Sequence, residues 1–63
     1  MKHSFIGELI EGEQYEQFNG DIITISKLED YFVGIYVTDR GTGKTHFEIV
    51  TPGTLRRNIK DFY

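Results

Sequence analysis

The sequence predicts an all-β fold, a small meander closing into a five-stranded barrel with a short helical turn or short helix near the C-terminus. Three runs carry that prediction: Asp21-Ile22-Ile23-Thr24-Ile25-Ser26-Lys27, Tyr31-Phe32-Val33-Gly34-Ile35-Tyr36-Val37 and Thr45-His46-Phe47-Glu48-Ile49-Val50. Their β-branched and aromatic residues suit a pleated backbone better than a helix. Turn chemistry separates them: Asn19-Gly20 before the first, Gly41-Thr42-Gly43 before the third and Pro52-Gly53 after it. A length of 63 residues allows one domain, residues 1–63.

A first strand is expected from about His3 to Ile10, with Phe5 and Leu9 on one face and Ile6 and Ile10 on the other. Residues 11–19 are rich in polar and acidic side chains, and Gly12 argues against a helix there. They read as a long loop or irregular hairpin, with Tyr15 and Phe18 tucked back as anchors. At Asn19-Gly20 both residues accept positive φ, which marks a tight turn. The second strand then runs from Asp21 to Lys27 or Leu28. The third, Tyr31 to Thr38, is apolar on both faces: Val33, Ile35 and Val37 on one, Phe32 and Tyr36 with Gly34 on the other. A glycine-rich hairpin over residues 39–43 leads to the fourth strand, Lys44 to Val50, and Pro52 stops the ladder because proline donates no hydrogen bond.

The tail admits two readings. Leu55, Ile59 and Phe62 recur at the spacing of one helical face, which suits a short helix capped at Thr54. That helix would place Arg56 and Arg57 in its first turn, at the positive end of the dipole. The preferred reading is one helical or 3₁₀ turn over Thr54 to Arg57 and a short closing fifth strand from Asn58 to Phe62.

Composition narrows the function. A chain of this size buries only about 60% of the surface its unfolded form exposes. There is no cysteine, and His3 and His46 lack metal-ligand spacing, so no disulfide, metal or cofactor is expected. Stability must come from packing or from a second subunit. The N-terminus has no long apolar run and already carries Glu8, so neither a secretory signal nor a membrane span is expected, and a cytoplasmic protein is. Residues 1–30 hold seven acids against two lysines, whereas residues 31–63 hold five cations against three acids. Folding these halves together gives a solvated surface of mixed sign.

Gly20-Asp21-Ile22-Ile23-Thr24-Ile25 resembles the strand opening of SH3 domains, and Asp30-Tyr31-Phe32-Val33-Gly34 is similar to the aromatic pair and glycine on their next strand. The long loop, the glycine-rich turn and the helical turn after Pro52 come in the same order, so about two thirds of the chain shares the resemblance. It implies an SH3-like small barrel. It does not imply polyproline recognition, because Ser4-Phe5-Ile6-Gly7-Glu8 supplies no tyrosine and Ile49-Val50-Thr51-Pro52 lacks the later proline-and-tyrosine element. Only Tyr31 matches a ligand-contacting aromatic, whereas a polyproline groove needs several.

Gly41-Thr42-Gly43-Lys44-Thr45 ends like a phosphate-binding loop, but the required first glycine falls at Thr38 and a strand follows where a helix is needed. Nothing suggests a nucleophile with its base, so no enzyme is expected. The third strand is the functional signal: a barrel has one interior, and a strand apolar on both faces leaves one face for a lid or a partner. A non-enzymatic protein-binding module follows, a small regulator or inhibitor acting on another protein or as a homodimer. Its contact residues would be Phe32, Tyr36, Tyr31 and Tyr15, with Glu11, Glu13 and Glu16 steering a basic partner. Small inhibitors encoded by phages or mobile elements work this way. The alternative is a nucleic-acid surface of Arg40, Lys44, Arg56, Arg57 and Lys60, with Tyr36, Phe62 and Tyr63 for stacking.

Overall fold

The computed structural model, which describes residues 9–62, contains four strands, three of them runs rich in β-branched and aromatic residues. They are β1 (Gln14–Glu16), β2 (Ile22–Leu28), β3 (Val33–Thr38) and β4 (Thr45–Val50), antiparallel in one open sheet of order β1-β2-β3-β4. A helix, α1 (Pro52–Asn58), and a 3₁₀ turn, Lys60–Phe62, follow. Among the described residues, no helix is long and apolar enough to cross a membrane.

The three long strands lie close to their expected positions. The first expected strand, His3 to Ile10, falls outside the described residues except for Leu9 and Ile10, which are not in a strand. The stretch read as a loop instead contains β1. Three residues are too few for alternation to stand out, but the pairs Gln14↔Thr24, Tyr15↔Ile23 and Glu16↔Ile22 hold it against β2. Of its two expected anchors, Tyr15 is buried and Phe18 is 60% exposed. At the turn only Gly20 takes positive φ (97°), while the Asn19 side-chain oxygen accepts the Asp21 N–H at 2.9 Å.

One face of the sheet is the core. Register sets Tyr15, Ile23 and Val37 in one row, Ile25 and Ile35 in the next, and Leu28, Val33 and Val50 in a third. An irregularity between Ile25 and Lys27 inserts an extra residue in β2. It lets Leu28 turn to the same side as Ile23 and Ile25 despite its even number. Leu9, Leu55 and Ile59 complete the buried set.

The tail corrects both of its readings in part. The helix starts at Pro52, with Thr51 rather than Thr54 in the capping position, and extends through Asn58. Proline suits that first position because its missing N–H would have no partner there. Starting earlier places Arg56 and Arg57 in the last turn, where the dipole favours cations. The expected fifth strand is a single bridge, Gln17↔Ile59, before the chain coils into the 3₁₀ turn.

Candidate protein-binding face

The other face of the sheet carries the exposed rings. Because Val33, Ile35 and Val37 point into the core, Tyr36 points away, and Phe32 just before the strand keeps the same parity; they are 46% and 41% exposed. The β3–β4 register adds residues that the sequence reading did not single out. Tyr36 pairs with Phe47 and Gly34 with Ile49, so Phe47 and Ile49 stand on this outer face, 49% and 65% exposed. The Tyr36 and Phe47 rings meet edge to face, with centroids 5.2 Å apart and planes at 62°. Their quadrupoles favour that geometry.

Gly34 makes room for this pair. A Cβ at Gly34 would lie 2.9 Å from the Phe47 ring tip and 3.8 Å from the Lys27 Cβ, so the ring rests across bare backbone. The Lys27 stem borders it on the β2 side, and Lys27 Nζ is 3.5 Å from Glu29 Oε2. Toward β1 the outer face turns polar: Gln14 donates to the Thr24 hydroxyl at 3.3 Å, and Glu16 shares this side. The face is therefore divided into an aromatic half over β3 and β4 and a mixed half over β1 and β2, where Gln14, Glu16, Ile22, Thr24 and Lys27 stand.

The elements after the sheet serve the opposite face. Leu55 and Ile59 enter the core, and Phe62 packs edge to face on Tyr15, with centroids 5.3 Å apart. Phe62 thus covers Tyr15, not Phe32 and Tyr36. Tyr63 lies outside the described residues.

The proposed contact residues separate accordingly. Tyr31 is 87% exposed in the β2–β3 connection. Tyr15 is 1% exposed, and its hydroxyl accepts the Ile10 N–H at 3.1 Å, so it is a core residue and presents nothing to a partner. Of the two expectations for Tyr15, anchor and contact residue, the structure supports the anchor: pairing opposite Ile23 turns it inward. Glu11, Glu13 and Glu16 do not share a free loop. Glu11 accepts the Leu28 N–H at 2.8 Å, Glu13 joins the β2 ladder through its carbonyl, and Glu16 lies on β1 with its carboxylate 3.8 Å from Lys60 Nζ.

The cations occupy separate elements. Arg40 and Lys44 belong to the β3–β4 hairpin, and Arg56 and Arg57 to α1. The Arg40 side chain lies over Gly20, and its backbone N–H donates to Asp21 at 3.2 Å. Lys60 faces Glu16. In the glycine-rich hairpin, the Asp39 carboxylate accepts the N–H groups of Gly41 at 2.7 Å and Thr42 at 3.0 Å. Those two bonds hold the Asp39 carboxyl below its ordinary pKa, Thr42 contributing most. Amides that a phosphate-binding loop would offer to an anion are thus engaged by the chain's own carboxylate.

Comparisons of the chain with protein-family models, with curated proteins and with solved structures return no match.

Proposed function

We propose that this chain is a non-enzymatic protein-binding module, a small regulator or inhibitor whose docking surface is the aromatic half of the outer sheet face. Phe32, Tyr36 and Phe47 form its centre, with Tyr31 and Ile49 at the rim. The observation that carries this reading is the Tyr36–Phe47 pair: two packed rings, each about half exposed, on the face away from the core. Aromatic residues are enriched at the centres of protein interfaces, where two-angle side chains bury much area at small entropic cost. The occupant is a protein with an apolar site edged by basic residues, because Glu16 lies on the same face and the chain carries a net charge of -3.

The SH3-like reading draws support from the four-strand meander, the helix after Pro52 and the bridge Gln17↔Ile59, which lies where a closing fifth strand would pair with β1. A cytoplasmic location suits a cysteine-free binder. The nucleic-acid alternative draws less support, because its cations are divided between a hairpin and a helix and two of them lie against the chain's own groups.

The test is the double variant Phe32→Ala, Tyr36→Ala, used beside the native chain in affinity purification from its host. It keeps its circular dichroism and loses the captured protein, while Arg57→Ala retains it. A double variant that unfolds, or that captures the same protein, contradicts the proposal.

A further inference from the structure

The two edges of the sheet are treated differently. At the β1 edge, Ile59 bridges to Gln17, the Phe18 N–H donates to Asn58 O at 3.0 Å, and the Glu16 N–H donates to Asp61 at 3.3 Å. At the β4 edge, nothing among the described residues pairs, and all of Thr45–Ile49 is exposed. The Asp39 backbone N–H donates to Lys44 O at 2.8 Å, which fixes the alternation of the β3–β4 ladder. In that alternation, His46, Glu48 and Val50 bond toward β3, and the backbone groups of Thr45, Phe47 and Ile49 point outward. The strand has no proline, and its pairing with β3 runs without a register shift, so three outward-facing residues make a straight template for another strand.

We propose that β4 pairs antiparallel with β4 of a second copy, about a two-fold axis at Phe47, joining two sheets into one. The residues of β4 select both occupant and register. With the axis at Phe47, each outward residue gains a hydrogen-bonded partner: Phe47 faces Phe47 of the second copy, and Thr45 faces its Ile49. His46 then lies opposite Glu48 of the second copy, and Glu48 opposite its His46. These are non-hydrogen-bonded pairs, whose side chains approach most closely, with Cα atoms about 4.5 Å apart. Within one chain His46 Nε2 already lies 2.5 Å from Glu48 Oε2, both side chains well exposed, so association would extend this pair into an alternating cluster of four. Moving the axis by one residue sets His46 on His46 or Glu48 on Glu48. Inward charges on an edge strand repel unrelated strands; a cation-capable and an anionic residue two apart admit their own antiparallel copy. This inference concerns the backbone edge; it shares Phe47 and Ile49 with the proposed docking face, but its test reads self-association alone and does not depend on what docks there.

Sedimentation equilibrium of the full chain over a wide concentration range tests it. The native chain is expected to reach twice its 7.3 kDa mass. His46→Glu and Glu48→Lys, each studied alone, put like-charged or cation-capable pairs across the axis twice over. Each is expected to weaken self-association about tenfold, given the usual worth of cross-strand pairs. Mixing the two variants sets an acid opposite a lysine or a histidine at every crossing, so a mixed dimer is expected. Both sites are exposed, and circular dichroism confirms that each variant folds. A native chain that stays monomeric, single variants that associate as well as native, or a mixture that remains monomeric overturns the proposal.

Discussion

Gly34 decides the shape of the aromatic patch. An alanine methyl there would come within 2.9 Å of the Phe47 ring tip, closer than carbon atoms pack. That ring is half exposed and can swing outward, so the clash costs geometry more than stability. Gly34→Ala is expected to change stability by less than about 1 kcal/mol, the strain being offset by the lower entropy of the unfolded chain. Loss of the ring-current shifts between Tyr36 and Phe47 in the proton spectrum checks it. Asp39 makes a different prediction. Its carboxylate is stabilised by the Thr42 and Gly41 N–H groups, so its folded pKa is lowered. A lowered pKa contributes stability above the unfolded value of about 3.9 and loses it as pH falls through the folded value. Asp39→Ala should therefore be less stable than native at neutral pH, and the gap in urea midpoints should close in acid below about pH 4.

At the scale of elements, β2, β3 and β4 were legible, because each is a run of six or seven residues rich in β-branched and aromatic side chains, with glycine or proline before β2, between β3 and β4 and after β4. β1 was not legible. It is short, flanked by acids, and defined by its partner strand more than by its own residues. The site divides in the same way. Phe32 and Tyr36 could be read from a strand apolar on both faces, but Phe47 and Ile49 required the β3–β4 register, which sets Phe47 opposite Tyr36. Tyr15, expected as a tucked-in anchor, is one, but its expected role among the contact residues failed for the same reason, its direction being set by Ile23 across the ladder. The tail is held by Ile59, fully buried, and by a few backbone bonds to β1. Ile59→Ala would cost about 2–5 kcal/mol. At roughly 0.05–0.15 kcal/mol per residue, a chain this short has on the order of 3–9 kcal/mol in total. The milder Ile59→Val, about 0.5–1.5 kcal/mol, should leave the fold intact. It should accelerate hydrogen exchange at the Phe18 amide, which is bonded to Asn58, while amides between β2 and β3 keep their protection.

For the whole molecule, the described residues make one sheet with an apolar inner face and an outer face that is aromatic over β3 and β4, and the elements after the sheet cover only the inner one. The core takes Tyr15, Ile23, Ile25, Val33, Ile35 and Val37, and α1 with the 3₁₀ turn closes over that side. The rings of Phe32, Tyr36 and Phe47 remain on the other. Photochemically induced nuclear polarisation of the tyrosines in the full chain, with and without its captured partner, reads that division ring by ring. Tyr31 and Tyr36 should be polarised in the free chain and Tyr15 silent, and the partner should silence Tyr36. A Tyr36 signal absent from the free chain, or unchanged when the partner is bound, would contradict the account.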